Sequence, residues 1–96
     1  MVVGVLKIEL FIEGSRSLKD KRTVVKSITE KVRNKFKNVS ISEVGSNDLW
    51  QKATLGVCII TNEGPFANSV LDQVLNYIQT ISADRIFNNE IEIIHL

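Results

Sequence analysis

Glu13-Gly14-Ser15-Arg16-Ser17-Leu18-Lys19-Asp20-Lys21-Arg22 is the stretch whose reading decides the fold, because the period of the apolar residues changes across it. Before it, Leu6, Ile8, Leu10 and Ile12 alternate with Val5, Lys7, Glu9 and Phe11, the pattern of a strand with one dry side over residues 2–12. After it, Val24 or Val25, Ile28, Val32 and Phe36 recur at helical steps. Gly14 and Ser15 supply the turn, glycine through its backbone freedom and serine by bonding to nearby main chain. Ser17 is then the expected N-cap, its hydroxyl accepting from an amide at the positive end of the helix dipole. Loop amides, helix start and the Arg16 side chain together suggest a small anion site. The commoner use of such a pattern is a capped connection that holds nothing, and the basic run that follows keeps the anion reading open.

Charge extends that reading along the helix. The net charge of +1 conceals a separation: nine of the twelve basic residues lie between Arg16 and Lys37, opposed there only by Asp20 and Glu30. The remaining 74 positions carry three basic and nine acidic residues. Lys19, Arg22, Lys26, Arg33 and Lys37 are spaced to share one side of the first helix. A solvated helix face is the plain account, and a density this uneven favours contact with a polyanion or an acidic protein surface.

Asn38 ends the helix, and residues 39–44 alternate as a second strand. Gly45-Ser46-Asn47-Asp48 has turn chemistry, residues 49–52 suit a short helical turn, and residues 53–61 read as a third strand. Trp50 is expected to close the end of the core, with contact to a partner as the alternative. Pro65 opens a second helix whose dry stripe is read as Phe66, Val70, Val74, Ile78 and Ile81. Residues 82–89 form a connector and residues 90–96 a fourth strand.

The order β-α-β-β-α-β predicts an α+β, ferredoxin-like sandwich: one domain over 1–96, with a four-stranded antiparallel sheet and two helices on one face. Right-handed crossovers put the first and third strands at the centre. The other face carries Val5, Phe11, Ile60 and Ile94, an apolar set that predicts self-association, a homodimer, or a partner. Trp50, Val5, Phe11 and Ile60 are therefore the candidate partner-binding residues.

Ser17-Leu18-Lys19-Asp20-Lys21-Arg22, then Glu43-Val44, then Asp48-Leu49-Trp50-Gln51-Lys52-Ala53-Thr54-Leu55-Gly56-Val57 resemble the small bacterial YlxP-like family, a domain of unknown function. The resemblance spans essentially the whole chain. It implies a ferredoxin-like fold, and a gene neighbourhood of translation initiation factor two and ribosome-binding factor A, hence RNA or ribosome work. It brings no catalytic residues. The turn at Gly45-Ser46-Asn47 is neutral where such families often carry charge or histidine.

Catalytic patterns are missing from the sequence. His95 is the single histidine, on a terminal strand, and no Ser-His-Asp or Cys-His set assembles. Glu9, Glu90 and Glu92 can share a sheet face, more simply as a solvated cluster beside Lys7 than as a cation site. Cys58, alone in an apolar run, excludes an internal disulfide and a cysteine-clustered zinc site, and reads as a small buried or half-buried hydrophobe. No cofactor and no metal are expected. Nor is base stacking on the sheet, where Phe11 is the one suitably placed aromatic. The first residues lack a basic leader and a cleavage site, and no apolar run is long enough to span a membrane, so a reduced, cytoplasmic protein is expected. The function expected first is an RNA- or ribosome-associated binding module using Arg16, Ser17, Lys19, Lys21, Arg22, Lys26 and Arg33. The alternatives are an acylphosphatase-like phosphate-binding enzyme and a dimeric interaction module.

Overall fold

A computed structural model describes residues 1–82 and 85–96. The elements follow the expected order: β1 Val2–Phe11, α1 Leu18–Lys35, β2 Ser40–Gly45, β3 Lys52–Thr61, α2 Gly64–Ser82 and β4 Ile86–His95. The strands pair antiparallel in the order β2-β3-β1-β4, so β1 and β3 are central. Alternation along β1 sends Leu6, Ile8 and Leu10 into the core beside Ala53, Leu55, Val57 and Ile59 of β3. Both helices cover that face. α2 lies against β1, β3 and β4, whereas α1 lies against β2, β3 and α2, toward the β2 edge.

Three features differ from the sequence reading. β4 begins at Ile86, inside the stretch expected as a connector, of which residues 83 and 84 lie outside the described residues. Asn88 and Asn89 do not alternate in polarity, yet they pair with Glu9 and Ile8, and a register shift after Glu9 absorbs Phe87 as a bulge. The 49–52 segment is not helical. A turn closed by Leu49 N–H to the Ser46 carbonyl, 3.1 Å, leads directly into β3 at Lys52. The third concerns α2, where Phe66 is exposed and Ala67 and Leu71 join Val70, Val74 and Ile78 in the core.

The last difference follows from Gly4. A Cβ at Gly4 would lie 2.9 Å from Leu71 Cδ1, 3.1 Å from Ile59 Cγ2 and 3.2 Å from Ala67 Cβ, so α2 crosses β1 where both surfaces are smallest. Phe66 could not fit there, and Ala67 can. Because Leu71 and Ala67 are fully buried, the core has little room to yield. Gly4→Val is expected to lower stability by about 2 kcal/mol, the cost typical of overpacking. The check is a lower urea midpoint at unchanged m-value; an unchanged midpoint would mean that α2 shifts freely.

Candidate nucleic-acid interface

The turn before α1 folds as its residues dictate. Gly14 takes φ 82°, and the Ser17 hydroxyl accepts from Asp20 N–H at 3.1 Å as the N-cap. Asp20 returns the favour to the main chain, its Oδ2 accepting from Arg16 N–H at 3.0 Å. Ser15 N–H donates to the Ile12 carbonyl and Lys21 N–H to the Ser17 carbonyl. Four amides around this turn are thus engaged within the chain, and a carboxylate already sits at the helix start. With those four committed and that carboxylate in place, the charge offered to an anion here comes from the exposed basic side chains.

Of the seven residues expected to hold an anion, Arg16, Lys19, Arg22, Lys26 and Arg33 are exposed on or beside α1. Lys26 approaches Glu30 at 4.0 Å on the surface, an arrangement with little net effect. Arg33 Nη2 donates to the Ile41 carbonyl of β2 at 2.9 Å, which fixes its guanidinium along the β2 edge. Ser17 is committed to the cap. Among the described residues, Arg16, Lys19, Arg22, Lys31 and Lys37 make no ion pair within 4.0 Å.

Lys21 corrects the sequence reading. Its side chain is 1% exposed, and its ammonium donates to the carbonyls of Ser46 at 2.8 Å, Asn47 at 3.2 Å and Lys52 at 3.3 Å. Glu43 Oε2 lies 2.9 Å from the same nitrogen. No donor is aligned on that oxygen, so the contact is charge to charge while the ammonium hydrogens serve the carbonyls. Lys21 therefore offers nothing to a ligand. The signal was present: Lys21, Val25, Ile28 and Val32 step by four, three and four, which puts Lys21 on the buried stripe, and Glu43 alternates with Ile41 toward the helices.

The loop that Lys21 holds carries an apolar tip. Trp50 is 55% exposed, Leu49 51% and Phe11 46%, around an open groove of about 540 Å³ completed by Gln51 and Lys52. Trp50 thus does not close the core end, since the Lys21 side chain reaches under the loop from α1. Ile12 N–H donates to the Gln51 carbonyl at 2.8 Å, and Gln51 Nε2 to the Ser15 carbonyl at 3.3 Å. Those bonds join the turn before α1 to the loop before β3.

The open sheet face has two parts. Toward the Phe11 end, Asn88 Nδ2 donates to Glu9 at 3.0 Å and Lys52 pairs with Glu9 at 3.4 Å, while Lys52 Nζ also lies 5.7 Å from the Phe87 ring centroid. The Asn88 bond first, then Lys52 and Lys7, holds Glu9 below the usual carboxylate range. Toward the other end are Val5 and Cys58, both partly buried, and Ile94 and Ile60, the last 68% exposed. Val5, Ser40, Ser42, Val44, Gly56 and Cys58 line a shallow groove of about 280 Å³ beside them. No group of three or more metal-ligating side chains occurs among the described residues, and no helix among them is long and apolar enough to cross a membrane.

A family model described as "Protein of unknown function (DUF503)" matches residues 3–91. The chain belongs to the DUF503 family. It is 38% identical over 79 residues to the uncharacterized protein YlxP of Bacillus subtilis (strain 168), covering 82% of this chain and 85% of that one. The YlxP-like resemblance carried by the 17–22 and 48–57 motifs therefore holds. Two de novo designed proteins share the fold. Foldit4 superposes with a TM-score of 0.61 at 16% identity, over 99% of this chain and 97% of its own. LFR1 1, a design with a ferredoxin fold, gives 0.51 at 15% identity, over 98% and 83%. At such identities the designs speak to the fold alone.

Removing the Lys21 charge tests what it holds. Lys21→Met leaves Glu43 facing apolar atoms and frees three carbonyls, so a loss of about 3 kcal/mol is expected, as for breaking a buried pair. Lys21→Met combined with Glu43→Leu should recover part of it. Urea unfolding of both variants is the check, and a Lys21→Met midpoint equal to the parent's would show that the ammonium holds nothing.

Proposed function

We propose that this DUF503 protein is a small RNA-binding module, associated with ribosomal RNA, whose contact surface is the outward side of α1 and the turn before it. The observation that supports this reading is the exposure of Arg16, Lys19, Arg22, Lys26 and Arg33 on one flank while the cation closest to a carboxylate, Lys21, is withdrawn into the core. From Lys19 to Arg33 the helix advances about 21 Å, enough to meet several phosphates of a folded RNA. Arginine forks and lysine point charges would bind phosphate oxygens, giving affinity with little sequence preference. The translation-factor gene neighbourhood implied by the YlxP-like resemblance makes ribosomal RNA the first probe. A reduced, cytoplasmic setting belongs to the same proposal. The acylphosphatase-like alternative needs free amides in the turn before α1, and it is disfavoured because Arg16 and Asp20 N–H are already bonded within the turn.

Binding to a structured ribosomal RNA fragment across a salt series tests the reading. Log affinity should fall linearly with log salt, and Arg16→Ala, Lys19→Ala and Arg22→Ala combined should flatten that slope by roughly 0.7 to 0.9 per lost phosphate contact. Affinity indifferent to salt, or to the triple variant, would overturn it.

A second reading concerns assembly, and the exposure of Ile60 beside Val5 and Ile94 favours it. Glu9 is answered by Lys52 and Asn88 at the Phe11 end, and Glu90 lies opposite Lys7 in the ladder, so carboxylates on this face are largely matched by cations, Glu92 opposite Val5 being the exception. We therefore propose a homodimer through this face. Light scattering at micromolar concentration should give twice the chain mass, and Ile60→Lys should return it to one; a single-chain mass for the parent protein retires the idea.

A further inference from the structure

The loop before β3 combines features that seldom coincide: it is rigid, its tip is apolar and exposed, and cations stand next to it. Lys21 fixes its backbone through the Ser46, Asn47 and Lys52 carbonyls, and the Ser46 and Thr54 hydroxyls meet at 2.9 Å. Ser46 is held at φ 60°, a left-handed conformation that costs a non-glycine residue about 1 kcal/mol or more. So anchored, the loop presents Trp50 and Leu49 to solvent beside Phe11. The Gln51 to Ser15 bond sets Trp50 and Arg16 each one residue from a shared contact, with Lys19 at the start of α1 just beyond.

A rigid aromatic surface bordered by cations suits a nucleobase taken out of a helix, since its face stacks on the ring and its phosphates reach the cations. From this we infer that Trp50, with Phe11, forms a stacking platform for an unpaired base of the RNA whose phosphates α1 engages. The inference rests on the RNA reading above and adds the substrate class: folded RNA with an unpaired loop or bulge in preference to a continuous duplex. The platform lies at the end of the sheet, where the β2–β3 loop meets Phe11, the last residue of β1. Glu13 and Asp48 lie in the same two loops, which directs the bound phosphates toward the Arg16, Lys19 and Arg22 side. Holding the loop's backbone beforehand removes the ordering cost that a mobile loop would add to binding.

The chain contains a single tryptophan, so its emission reports this loop alone. The probes are a hairpin RNA with a purine-rich unpaired loop and a blunt duplex with the same number of phosphates, each end-labelled so that anisotropy gives the bound fraction independently. The hairpin should quench Trp50 emission and the duplex should not. Trp50→Ala should weaken hairpin binding about tenfold, the scale of one stacked base, and leave duplex binding within about twofold. Since Trp50 is exposed, the variant should fold, which circular dichroism checks, and Trp50→Phe should restore most of the affinity. Quenching confined to the hairpin, with that split in Trp50→Ala, supports the platform. If both RNAs bind in a salt-dependent way but emission and Trp50→Ala affinity do not change, the platform is overturned while the RNA reading stands, and the exposed ring is left as a protein contact. If neither RNA binds at low salt, both fall.

Discussion

A lysine ammonium surrounded by main-chain carbonyls and one carboxylate is the constraint on which the rest of this molecule depends. Lys21 leaves the first turn of α1, passes under the loop before β3 and is nearly inaccessible to water. A charge in that position is tolerated because Ser46, Asn47 and Lys52 take its hydrogens and Glu43 balances its sign. In return, one side chain couples α1, β2 and β3 at one end of the fold. The arrangement sorts the cations of the helix into one that is structural and several that remain outside.

That sorting gives the molecule its polarity. The sheet packs both helices on one side, α2 pressed onto β1 through the absence of a side chain at Gly4, and α1 displaced toward the β2 edge. Displacement leaves the outward flank of α1 uncovered, with Arg33 braced on the Ile41 carbonyl. Of the eleven acidic residues only Asp20 and Glu30 lie on α1, so the field of the protein is directional although its net charge is only +1.

How much of this could be read from the sequence depends on the kind of signal. Alternation and helical steps are strong over 2–12 and 24–36, so the element order, the central strands and the ferredoxin-like plan were legible from them. Lys21 carries two opposed signals, a charge that marks surface and a spacing from Val25, Ile28 and Val32 that marks the core stripe, and the spacing is the one the fold obeys. Phe66 failed in the opposite way: hydrophobicity named it a core residue, whereas close approach at Gly4 selects Ala67 and Leu71. Trp50 and the early start of β4 were not legible. One depends on what a distant lysine occupies, and the other on pairing with β1 across a bulge, and neither leaves a local mark.

The position of β1 between β3 and β4 has a consequence for how the protein is made. Its two neighbours begin at residues 52 and 86, so the most apolar strand emerges from the ribosome long before either ladder can close around it. Until the final element is synthesised, one edge of that strand stands open to any other extended chain. Lys7 and Glu9, pointing away from the core, are the charges that guard it during this interval.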